Sequence, residues 1–350
     1  MYFMLICTPV SVQNMDLLFF FFFSSISFPK LIIGNNVESQ APLINKFITV
    51  DQKGGGNFKT ISAAISAVPQ NNNQWIKILV KSGVYREKVF ITKDKRFIML
   101  EGEGANNTSV EWGDHLTKSP LDFPMKKTDA ETATLRVFGT NIVVKYIAIK
   151  NTYNGGAKNR VQALAAMVSG DKIAFYHCLF YGIQDTLCDF QGRHYYKACY
   201  ILGAVDFIWG NAQTIYQGCV IESVGEYVTE GYITAHGRDN ETQTTGFVFE
   251  NCTITGTLKT YLGRPWRPFA RVLFYGCFME NIIDPLGWDS FYHGDNERNT
   301  YYAEIDCHGP GADKSKRVPW EKNPTEAQAK QFTDITFIDN DGWIGKQPFY

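Results

Sequence analysis

No Cys-x-x-Cys pair occurs among the eight cysteines, and the six histidines are scattered. That spacing argues against a zinc site. Positive charge is not in excess: 34 Lys and Arg face 35 Asp and Glu, for a net charge of −1. Nucleic acid is therefore not an expected partner. The glycine triplet at 54–56 lacks the GK[ST] ending of a phosphate-binding loop and reads as a plain turn. No cluster of acidic residues suggests a calcium site. The apolar run in "MDLLFFFFFSSISF", from Met15, is short for a membrane span. It has the length of a signal-peptide core followed by small residues, although no Lys or Arg precedes it. Residues 1–33 are thus expected to be a signal peptide or extended targeting segment, with an uncleaved anchor as the alternative. In either case the remainder faces the outside of the cell. Potential N-glycosylation triplets at Asn106 or Asn107, Asn240 and Asn251 agree with that expectation.

The apolar content of 45% supports a sizeable core, and aromatics reach 15%. The organisation shows in five matching phrases, "FYHCLF", "YYKACYI", "IYQGCVI", "FENCTI" and "FYGCFM", around Cys178, Cys199, Cys219, Cys252 and Cys277. An aromatic stands three residues before each Cys and a large apolar residue two after it. The spacings are 21, 20, 33 and 25, and "VVKYIAIKNT" at 143–152 is an earlier copy without Cys. A period in the low twenties, rich in Val, Ile, Tyr and Phe, is too short for helix pairs. Each unit reads as one coil of β-strands, and the stack as an all-β parallel β-helix. The cysteines then form a buried ladder of small side chains rather than disulfides. "NFKTISAAISAVPQ" places Ile61, Ile65 and Val68 on one helical stripe closed by Pro69, a helix to cap the first coil. The less regular segment after about 305 is expected to pack along the outside.

Two phrases, "GIQDTLCDF" and "GAVDFIWG", place Asp185 seven residues after Cys178 and Asp206 seven after Cys199. Equal phase on neighbouring coils stacks the two carboxylates about 4.8 Å apart in strand spacing. Two carboxylates so close do not both ionise readily, which separates an acid from an anion. Gln162 lies about one coil before Gln184. Read from position alone, this is either a catalytic pair or a polar ladder along a groove.

The chain resembles the plant pectinesterases, or pectin methylesterases. The resemblance rests on "GVYREKV" (83–89), "QALAA" (162–166), "QDTL" (184–187), "GAVDFIWG" (203–210) and "LGRPW" (262–266), in that order. "GPGA" (309–312) and "RVPW" (317–320) add to it, and it covers roughly 46–345, within an expected catalytic domain of 46–350. It implies a right-handed parallel β-helix that removes methyl groups from esterified homogalacturonan, giving pectate and methanol, outside the cell in the wall. By position it implies Asp206 as nucleophile and Asp185 as general acid and base. Gln162 and Gln184 would stabilise the oxyanion, and Arg264 would partner Asp206 and depress its pKa. Trp266, with Phe207 and Phe291, would meet the sugar chain. The implied enzyme is a monomer that needs no metal or organic cofactor, and a proteinaceous inhibitor is a further implied partner. The chain departs from the family's usual pattern at Ala204 (for Thr), Trp209 (for Phe), His236 (for Gln) and Phe291 (for Trp). His236 reads as a local polar substitution, and Tyr85 and Glu87 as structural. The rival readings are a β-helix glycoside hydrolase working with two carboxylates and a binding module that has lost its chemistry.

Overall fold

The computed structural model describes residues 44–116, 128–153, 161–225, 228–291 and 294–348. The expected targeting segment at 1–33 lies outside them. Three parallel sheets of ten, seven and eight strands run the length of these residues. Each complete coil gives one strand to each sheet, and the terminal coils give fewer. One coil contributes Ile173–Tyr176, Leu179–Tyr181 and Leu187–Asp189; the next contributes Arg193–Lys197, Tyr200–Gly203 and Val205–Gly210. This is the expected parallel β-helix.

The repeated Cys phrase is the corner between two sheets. The residue before each ladder position turns the chain in the left-handed region: Tyr146, His177, Ala198, Gly218, Asn251 and Gly276 all have φ between 50° and 61°. The next side chain points into a tight inside corner, which a thiol fits. Cys178, Cys199, Cys219, Cys252 and Cys277 are buried and unbridged, and Ile147 fills that place in the copy without Cys. Each thiol also donates to a carbonyl one coil back, as from Cys199 to Phe175 (3.5 Å) and Cys252 to Tyr216 (3.3 Å). The preceding aromatics stack as a column, Phe175–Tyr196–Tyr216–Phe249–Phe274, with centroids 4.5 to 4.9 Å apart. Strand spacing enforces that stacking, and aromatic contacts of this kind add about 0.5–1.5 kcal/mol each beyond burial.

The N-terminal helix caps the first coil and the C-terminal segment packs along the outside, both as expected. The helix Ile61–Ser66 buries Ile61, Ala64 and Ile65, with Thr60 as its N-cap. Glu87 accepts from the free N–H groups of Ile61 (2.8 Å) and Ser62 (2.9 Å), and the Tyr85 hydroxyl donates to the Lys81 carbonyl. "GVYREKV" is thus an end-capping device. Helices Glu326–Thr333 and Thr336–Asp339 lie on the outer face of the ten-stranded sheet. There Phe332, Phe337, Ile338 and Trp343 pack against Met99, Val143, Ala174 and Leu273.

Candidate active site

The site residues project from the outer face of the seven-stranded sheet. Its strands run in the order Val89–Ile91, Leu135–Val137, Ala166–Val168, Leu187–Asp189, Val205–Gly210, Gly231–His236 and Thr260–Pro265. Leu187 pairs with Ile208, Gln184 with Val205, and the Asp185 N–H donates to the Val205 carbonyl at 3.0 Å. Asp185 and Asp206 therefore face each other across adjacent strands. Both hold the left-handed conformation, φ 61° and 48°. Such backbone costs on the order of 1–3 kcal/mol and clusters at functional sites. The glycine in each phrase has a steric cause. A Cβ on Gly203 would lie 2.2 Å from the Phe207 Cβ, and one on Gly182 would lie 2.6 Å from the Thr186 Oγ1. The turn at each Asp drives the following side chain inward onto that glycine.

Phe207 is the correction this geometry imposes. It is fully buried in the main core, so it cannot line a groove for sugars. The left-handed turn at Asp206 and the register shift between Val205 and Ile208 break the strand alternation there and turn Phe207 inward, over Gly203.

Ala163 donates to the Gln184 carbonyl (3.2 Å), which sets Gln162 beside Gln184 in the ladder. A bulge follows, where Ala165 and Ala166 both donate to the Thr186 carbonyl. The Gln162 Oε1 is buried and has no hydrogen-bond partner among the described residues.

Arg264 reaches Asp206 from two strands away. Its Nε donates to Oδ1 at 2.8 Å and its Nη2 to Oδ2 at 2.6 Å, a bidentate pair only 17% exposed on either side. The guanidinium also lies over the Tyr232 ring at 4.0 Å and the Phe291 ring at 4.3 Å. The Asp206 carboxyl nevertheless sits above its ordinary value. Burial raises it most, Arg264 pulls it back, and Asp289 adds a smaller upward push. The expected net depression by Arg264 is thus outweighed by desolvation.

Trp209, where the family pattern has Phe, donates its indole N–H to the Asp185 carbonyl at 3.3 Å and meets Trp266 edge-on at 5.2 Å. A cavity of about 530 Å³ opens beside Trp266, walled by Phe190, Asn211, Asp239, Gln243 and Arg267. His236 points into the core. Its Nδ1 accepts from the Arg271 N–H (3.1 Å), and burial lowers its pKa to about 3. It is a neutral structural side chain, as expected. Ala204 is fully buried with Val205, Val228 and Leu258.

A buried cluster inside the coils went unnoticed in the sequence. Asp189 accepts from the His194 Nδ1, from Thr214 (2.6 Å) and from Tyr216 (2.7 Å). The His194 Nε2 lies 2.7 Å from the Gly170 carbonyl. The available signal was "RHYYK", where His194 takes an inward place in a strand whose ends are Arg193 and Lys197.

The described site can attack and protonate an ester: an anion held by a cation, a second carboxyl one strand away, and amides alongside. The pectinesterase family model matches residues 47–341. The chain belongs to the pectinesterase family. It is 44% identical over 310 residues to probable pectinesterase 55 of Arabidopsis thaliana, covering 86% of this chain and 91% of that one. It is also 44% identical to probable pectinesterase 29 of the same plant, covering 86% and 89%. Among solved structures, pectin methylesterase from carrot superposes with a TM-score of 0.80 at 32% identity, over 89% of this chain and 98% of that one. This pectinesterase thus shares its coil architecture with family members over nearly their whole length.

Proposed function

We propose that this pectinesterase hydrolyses the methyl esters of homogalacturonan to pectate and methanol, with Asp206 as nucleophile. The observation that carries the residue assignment is the bidentate Arg264–Asp206 pair, with Asp185 in register one strand away. An Asp206 oxygen attacks the ester carbonyl, and Arg264 holds it ionised and aimed. The side-chain N–H groups of Gln162 and Gln184 receive the developing oxyanion without adding charge. Collapse breaks the bond to the methoxy oxygen, and Asp185 gives its proton to departing methoxide. The resulting Asp206 anhydride is hydrolysed by a water whose proton returns to Asp185. The polymer keeps a free carboxylate and Asp206 is regenerated. Trp266, beside the cavity, supplies an apolar wall for a sugar ring.

Residues 46–350 form the catalytic domain on this reading. Residues 1–33 direct the enzyme out of the cell to the wall, where it acts as a monomer and is open to a proteinaceous inhibitor. Exposure of Asn106, Asn107, Asn240 and Asn251 supports that compartment. The test is methanol release from highly methylated pectin alongside a reducing-end assay. Methanol without new reducing ends is expected; new reducing ends in step with turnover would favour a glycoside hydrolase.

A further inference from the structure

The guanidinium of Arg264 meets a carboxylate along its edge and two aromatic rings beside it. The edge is spent on Asp206. The rings of Tyr232 and Phe291 both lie against it, with centroids 4.0 and 4.3 Å from the guanidinium carbon. We infer that Tyr232 and Phe291 are positioning residues that clamp Arg264, so that its edge stays on the nucleophile while the polymer moves through the site. This inference rests on Asp206 being the nucleophile.

The two rings are themselves held. The Tyr232 hydroxyl donates to the Glu230 Oε2 at 2.8 Å, and its ring stacks on Tyr261, one strand over, at 5.4 Å and 11°. Tyr232 pairs in register with Tyr261, three residues before Arg264 on the same strand. Phe291 holds φ 53°, a conformation that is an outlier for a bulky side chain. Its N–H donates to the Asp289 Oδ1 at 3.1 Å, which fixes the turn. Backbone strain at an aromatic laid against a buried ion pair points to a constraint that the pair imposes. An Arg side chain has enough rotamer freedom to leave a carboxylate briefly. Aromatic faces on its plane remove those alternatives and keep water off the pair, while leaving the hydrogen-bonding edge free. Phe291 stands where the family pattern has Trp, so the aromatic face is retained with a smaller ring.

The groups facing Asp206 are Arg264, Asp289 and Tyr232, with Glu230 behind Tyr232, Asp185 one strand away and Tyr302 from the core side. Of these, Tyr232 touches the Arg264 guanidinium through its ring, as the apolar Phe291 also does.

The test compares Phe291→Leu, Tyr232→Leu and Phe291→Trp with wild type. Measured are kcat and KM on methylated pectin, the acid limb of kcat/KM against pH, and thermal unfolding. Each leucine variant is expected to lose kcat by about 2- to 30-fold, the span from an exposed to a desolvated cation–π contact, with KM within about twofold. The acid limb should move to higher pH, because a looser Arg264 stabilises the ionised nucleophile less. Phe291→Trp keeps an aromatic face and should retain the wild-type limb, which a loss caused by misfolding would not predict. Unchanged kcat and limb in both leucine variants would overturn the clamp. So would a defect confined to KM, which would make Phe291 a sugar-contacting wall instead. Asp206→Asn separates the two claims. If it keeps turnover, the nucleophile assignment fails; if it is inactive while the leucine variants are normal, only the clamp fails.

Discussion

Asp189→Asn is the substitution whose cost the geometry sets most directly. Asp189 is fully buried and accepts from His194, Thr214 and Tyr216 inside the stacked coils. The His194 ring is held at its other end by the Gly170 carbonyl, 2.7 Å from Nε2. Asparagine has the same shape, so no cavity forms. The amide turns one acceptor into a donor that confronts existing donors. Removing one member of a buried pair costs about 3–5 kcal/mol. At ~2 °C per kcal/mol, the low end for a domain this large, the melting temperature should fall about 6–10 °C. His194→Gln should cost less, because Asp189 keeps the Thr214 and Tyr216 hydroxyl donors. Thermal unfolding followed by circular dichroism measures both. A shift under about 2 °C for Asp189→Asn, or a larger loss for His194→Gln, would refute the reasoning.

Two further substitutions probe the reaction. Gln162→Ala removes one oxyanion donor and should lower kcat by ~10²–10³ with KM little changed; a defect in KM alone would remove Gln162 from that role. Trp209→Phe keeps the ring but loses the N–H bond to the Asp185 carbonyl, a neutral hydrogen bond of about 0.5–1.5 kcal/mol. The expected result is a two- to tenfold loss in kcat at unchanged thermal stability, and full kcat would leave Trp209 as packing only.

Much of this was legible because the coil repeats. The aromatic–x–x–Cys phrase marks a sheet corner, so its period reports the coils. The equal offset of Asp185 and Asp206 from their cysteines then places them in register. The capping helix follows from a 3.6-residue stripe closed by Pro69. What was not legible depends on direction and depth. Phe207 reads as a groove residue in the sequence, but the left-handed turn at Asp206 and the register shift after Val205 turn it inward. Arg264 lies 58 residues from Asp206, past coils whose long loops break the period, so the column holding Tyr232 could not be read. Phe291 comes from a loop outside the repeat. The sign of the Asp206 shift is a balance between burial and the Arg264 pair, and a sequence holds the partner but not the burial. Asp189 and His194 look like surface residues by type, and only the stacked interior shows that they face inward together.

The central claim is that Asp206 is the nucleophile and Asp185 the proton donor and acceptor. The most direct measurement is kcat for methanol release from methylated pectin, against pH, for wild type, Asp206→Asn and Asp185→Asn, with circular dichroism on all three. The wild-type rate should be present at higher pH and fall as pH drops through the Asp206 value, which burial places above the ordinary carboxyl range near ~3.9. Asp206→Asn should keep its fold and lose at least ~10³-fold in kcat, since nothing then attacks the ester. Asp185→Asn should fold and also turn over very slowly, lacking a proton for methoxide and a base for water. Near-normal methanol release from folded Asp206→Asn, or an unaltered rate and pH profile from Asp185→Asn, would contradict the account.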